Sequence, residues 1–142
     1  MGAYQNIRDK LEAKLNAVSD INEVYDYPKM DFGGYPAAVI IPTEGESDWE
    51  TNKDDQRAYV FDVLIYYEMN QATPNTALDR LMDVCDDVLD SFASDKQLSG
   101  ISLPANKTII TVDPVFAGYE TVPDKELLVA RIKVKVIISI AT

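Results

Sequence analysis

Apolar residues at three- and four-residue steps open the chain. Tyr4, Ile7, Leu11, Leu15 and Val18 alternate with Arg8, Asp9, Glu12 and Lys14, which predicts an amphipathic helix over Ala3–Ser19. Ile21–Tyr27 predicts a short strand closed by Pro28. Asp31-Phe32-Gly33-Gly34 is a turn signal, because paired glycines accept positive φ without steric cost. Pro36–Ile41 is a strand-length apolar run ended by Pro42, and Thr43–Gln56 is a polar, acidic loop without periodicity. Arg57–Glu68 alternates most clearly: Tyr59, Phe61, Val63, Ile65 and Tyr67 share one face, and Ala58, Val60, Asp62, Leu64, Tyr66 and Glu68 the other. Both faces are largely apolar, which predicts a central strand covered on both sides.

Thr73-Pro74 is a helix start, a capping hydroxyl followed by proline at the first helical position. The helix is expected to run to about Ser94, burying Leu78, Leu81, Met82, Cys85, Val88, Leu89 and Phe92. Lys107–Val112 reads as a strand stopped by Asp113-Pro114, Val115–Val122 as a second extended segment, and Pro123-Asp124 as a turn. The chain closes on a long strand, Leu127–Ile140, with Ala130, Ile132, Val134, Val136, Ile138 and Ile140 on one face and Arg131, Lys133, Lys135 and Ser139 on the other. Helix, strands, helix, strands is the order of an α+β fold. A single domain over 1–142 is expected, with an antiparallel or mixed sheet packed against two helices that lie most simply on one face.

Charge changes this picture more than length does. Thirteen basic against 24 acidic residues give a net charge of −11. Such a surface repels phosphate on average, so nonspecific grip on a duplex is not expected. The chain has no histidine and one cysteine, Cys85. That removes His-dependent nucleophilic catalysis, His-ligated metal sites, internal disulfides and paired-cysteine redox or zinc chemistry. The N-terminal stretch has no basic-then-apolar leader pattern, and no apolar run reaches the roughly 18 residues of a membrane span. Cys85 falls on an apolar stripe and reads as inert core. No catalytic residue, metal or cofactor is expected.

Three constellations stand out. Asp79, Asp83, Asp86, Asp87 and Asp90 stripe the polar side of the second helix, with Asp83/Asp87 and Asp86/Asp90 four apart. Like charges so placed are mildly destabilising. They are either a solvated face or the contact for a cation or a basic partner, and carboxylates from one helix face cannot wrap a metal ion. In the acidic loop, Glu44, Glu46, Asp48, Glu50, Asp54 and Asp55 surround Trp49, the only tryptophan. That ring either anchors a protein contact or folds back on its own domain. The row Arg131, Lys133, Lys135 either protects an edge strand or meets the Asp79, Asp83, Asp87, Asp90 stripe or the acidic loop of a neighbouring copy, head to tail.

The succession of elements also resembles the tail-terminator (tail-completion, minor tail protein U-like) family of long-tailed bacteriophages. PAAVII with its acidic loop, RAYVFDVLIYYE, the helix TALDRLMDVCDDVLDSF, and the paired segments TVDPVFAGYE and LLVARIKVKVII carry the likeness over nearly the whole chain. Related head-tail joining proteins share similar topologies. The resemblance implies a non-enzymatic virion protein, assembled in the bacterial cytoplasm, whose hexameric ring caps the tail tube, stops its polymerisation and docks the head. Its partners would then be copies of itself, the tube protein and a head-tail connector protein, with DNA only passing through. Because their loop is long and polar, and not through the resemblance, Glu44, Glu46, Asp48, Trp49, Glu50, Asp54 and Asp55 are the expected contact with the tube or an adjacent ring. An acidic enzyme or ligand-binding domain, which would need a deep pocket, is the reading from another class.

Overall fold

The computed structural model describes residues 3–27, 32–42, 56–68, 74–101, 103–122 and 126–140. Their elements run α1 (Ala3–Asn16), β1 (Glu23–Tyr25), β2 (Ala37–Pro42), β3 (Gln56–Glu68), α2 (Pro74–Ala93), β4 (Lys107–Val122) and β5 (Leu127–Ile140). One five-stranded sheet has the order β1-β2-β3-β5-β4. Only β1 and β2 run parallel, so the sheet is mixed. The fold is α+β, as the alternating periodicities require.

Both helices cover the same face. Ile7, Leu11 and Leu15 of α1 and Leu81, Val84, Cys85, Val88 and Phe92 of α2 share one core with Phe61, Val63 and Ile65 of β3 and Ala130, Ile132, Val134, Val136 and Ile138 of β5. Tyr4 stacks on Phe61 with ring centroids 5.3 Å apart. A smaller cluster, Val39, Tyr66 and Leu127 with Phe32 and Tyr35 against it, lies at one end of the opposite face. The helix stripe is slightly wider than expected: Ala77 and Val84 are buried as well. Beyond α2, Asp95 ties the two helices. Its carboxylate accepts from Lys14 Nζ at 3.1 Å and from the Ser99 N–H at 2.9 Å and hydroxyl at 2.8 Å.

Four expectations need correcting. Asp113-Pro114 does not stop a strand, because β4 is continuous and Pro114 sits in register with Val134. As the sheet's edge, β4 owes ladder bonds on one side only, so a missing N–H is tolerated. By the same topology β5 is an interior strand between β3 and β4, and its basic row protects no edge. Gly33 and Gly34 are not at positive φ. They admit the Glu23 carboxylate, which accepts from the Gly34 N–H at 2.7 Å and would lie 3.3 Å from a Cβ on Gly33. Finally, α1 and β1 are shorter than their patterns, at Ala3–Asn16 and Glu23–Tyr25. Thr73, Pro28, Asp31 and the Pro123-Asp124 turn lie outside the described residues.

Candidate functional site

With both helices on one side, alternation along β5 sends Arg131, Lys133 and Lys135 to the helix-free face. Register places Leu64, Asp62 and Val60 of β3 on one flank of that row, and Gly118, Val115 and Asp113 of β4 on the other. Two acids therefore stand in line with the basic row, a cross-strand arrangement that neutralises like charge. Arg131 lies 3.9 Å from Asp62, the buried carboxylate of this face (6% exposed). Asp113 is turned toward Lys96 at 4.0 Å. No ion pair reaches Lys133 or Lys135 among the described residues.

On the other side of the molecule the five α2 aspartates, Asp79, Asp83, Asp86, Asp87 and Asp90, are all exposed. None has an ion pair among the described residues. Asp20, which sequence reasoning missed, adds to them. A hydrogen bond with Asp20 pushes the Asp87 carboxyl above the usual carboxylate range, helped by burial and by the charges of Asp20, Asp90 and Asp83. Beside these acids a cleft of about 400 Å³ is lined by Asp20, Pro36, Tyr67, Arg80, Asp83 and Val84. Its position between α2 and the segments before β1 and β2 depends on tertiary packing and has no local signature.

The fold has solved counterparts. A chain from the virion of a native gene transfer agent particle superposes with a TM-score of 0.52 at 12% identity, covering 97% of this chain and 92% of its own. A second solved chain gives 0.51 at 12% identity, covering 98% and 93%. No family model matches the sequence, and no curated protein matches it. At this identity the likeness is one of fold, and it extends from end to end.

Apolar exposure is concentrated on β4. Val115 (59% exposed), Phe116 (38%), Tyr119 (50%) and Ile110 (39%) all lie on that strand, near its two register shifts. The second shift, between Phe116 and Gly118, holds Gly118 at φ +117, a conformation suited to glycine. It borders a depression of about 270 Å³ on the helix-free face, lined in part by Leu64, Tyr66, Glu120 and Arg131. Burial pushes the Tyr66 hydroxyl above its ordinary range, against the pull of Arg131. Elsewhere Asp9, Glu12 and Asp26 bring carboxylate oxygens within 4.8 Å of one another. Arg8 already serves that group, at 3.2 Å from Asp9 and 3.3 Å from Asp26.

Cys85 is buried on the α2 stripe, and burial, aided by Asp86, pushes its thiol up to about 12. A thiol so placed is a packing group. Glu44, Glu46, Asp48, Trp49, Glu50, Asp54 and Asp55 lie outside the described residues.

Proposed function

We propose that this chain is a structural protein of a phage-type virion and acts by assembly, without catalysing a reaction. The observation that carries the reading is the end-to-end likeness of fold to a chain of a gene transfer agent virion. Within that class the succession of elements resembles tail terminators. The chain then forms a ring, of six copies as in that family, which closes the end of the tail tube and halts its polymerisation. The ring presents the surface on which a head-tail connector protein docks.

Three features support this role. Oppositely charged faces, on which Lys133, Lys135 and the α2 aspartates make no ion pair among the described residues, suit contact between copies. An exposed apolar edge strand suits contact with a further protein. A net charge of −11 disfavours retention of DNA crossing the ring. The acidic segment with Trp49 is assigned to the tube contact on composition, aromatic anchors being common at such surfaces. Assembly takes place in the bacterial cytoplasm and the protein ends in the virion tail.

Electron microscopy of polymerising tail tubes with and without the protein tests this. The expected result is a ring at one end of each tube and arrested elongation. Tubes that grow unchanged and carry no extra density would overturn the reading. Density at the head vertex alone would move the protein to the neck.

A further inference from the structure

Two sets of charge make no ion pair among the described residues, and they lie on opposite sides of the molecule. Lys133 and Lys135 project from the interior strand of the helix-free face, where Asp62 is already served by Arg131 and Asp113 by Lys96. On the helix side, Asp20 and Asp83 line one cleft together with Arg80, and Asp87, hydrogen-bonded to Asp20 and under the charges of Asp83 and Asp90, stands beside it. The crowding has a physical cost, since Asp87 and Asp20 face each other directly. A basic group arriving from outside would relieve it. A surface that carries both halves of a complementary pair on opposite faces cannot pair within one chain, but it can pair with the next copy.

We propose that Lys133 and Lys135 of one copy dock on the α2 face of a second copy, with their ammonium groups at the cleft lined by Asp20 and Asp83, next to Asp87. The contact is heterologous, because the sheet face of one subunit meets the helix face of the next. Each copy keeps one face of each kind free, so the contact propagates and closes into a ring when the rotation permits. Lysine suits the cleft because its ammonium is compact, carries three donors and reaches out on a long stem. Exposed Val115 stands in register beside Lys133 and supplies apolar area at the same contact. The proposal rests on the ring-forming reading in one respect only, that the partner is a second copy.

Charge exchange tests it. Lys133→Glu/Lys135→Glu gives a chain acidic on both faces, and Asp83→Lys/Asp87→Lys gives one whose α2 cleft is basic. All four side chains reach solvent, so both variants should fold, as thermal melts would check. Sedimentation at high protein concentration should show each variant self-associating at least about tenfold more weakly than the parent chain, with a mixture of the two restoring association. Zero-length carbodiimide coupling of mixed light- and heavy-isotope protein should join Lys133 or Lys135 of one copy to an α2 aspartate of another. Unchanged association of the single variants, no recovery on mixing, or mixed-isotope links found only elsewhere would each overturn the proposal. If the parent chain caps tail tubes while the variants cap them equally well, the docking faces are wrong and the tail reading stands. If the exchange pattern holds in solution but no tube is capped, the docking stands and the tail reading falls.

Discussion

Asp95 shows how much one half-buried carboxylate can do when its hydrogen bonds converge. It accepts from the Ser99 backbone, the Ser99 hydroxyl and Lys14, and these hold its carboxyl at about 2, with the two Ser99 bonds leading. Because the folded value lies below the unfolded one, near 4, the ionised form favours the folded chain. That contribution is complete above about pH 4 and is lost as pH falls through about 2. Asp95→Ala should therefore cost about 1–2 kcal/mol at neutral pH, the range for hydrogen bonds to a charged group in a partly solvated setting. Denaturant melts should show the gap between the two chains narrowing as the acid titration proceeds. A gap that stays constant down to pH 2 would mean Asp95 acts through packing alone. Nothing in the sequence singles out this residue, because Lys14 reaches it only after both helices have docked.

The Val134–Pro114 pair gives an internal comparison at the level of the strand, since the two residues face each other across β5 and β4. On edge strand β4 a proline forfeits no bond to a further neighbour, whereas on interior strand β5 every ladder group has a neighbour on one side or the other. Pro114→Ala should change stability by no more than about 1 kcal/mol, mostly through the greater freedom of the unfolded chain. Val134→Pro should cost at least about 3 kcal/mol, from a broken ladder bond together with disrupted core packing. Equal losses for the two, measured by urea unfolding, would contradict the strand order. Position in the sheet also explains which elements were legible. The bounds of β3 and β5 are legible almost to the residue because long apolar alternation shows in the sequence, but β3, expected to be covered on both sides, carries both helices on one face only. β4 was split in two because Asp-Pro carries the same local signal in a turn and on a sheet edge. Of the two readings of the basic row, edge protection fails for the same reason: chain order does not reveal strand order. The register that sets Asp62 beside that row, and the packing that brings Asp20 to Asp87, are long-range facts without a periodic trace.

For the whole molecule, two electrostatic effects of different range oppose each other. Each copy carries −11, so two copies repel at a distance, while Lys133 and Lys135 attract the α2 aspartates only at contact. A folded chain of this length has a radius of gyration of roughly 14 Å, which places docked centres roughly 30 Å apart. The Debye length is about 30 Å at 0.01 M salt, so the net repulsion is then only partly screened. At 0.1 M it falls to about 10 Å, which silences the repulsion between centres but spares pairs in direct contact. At 1 M it is about 3 Å, and the contact pairs weaken as well. Self-association should therefore rise and then fall with ionic strength, peaking near about 0.1 M, as sedimentation across a salt series would show. The Lys133→Glu/Lys135→Glu chain should lose the falling limb, because it keeps the repulsion and has no contact attraction left to screen. A parent chain whose association only climbs with salt would be held together by apolar contacts such as those of β4, and the charged faces would then serve solubility instead of docking.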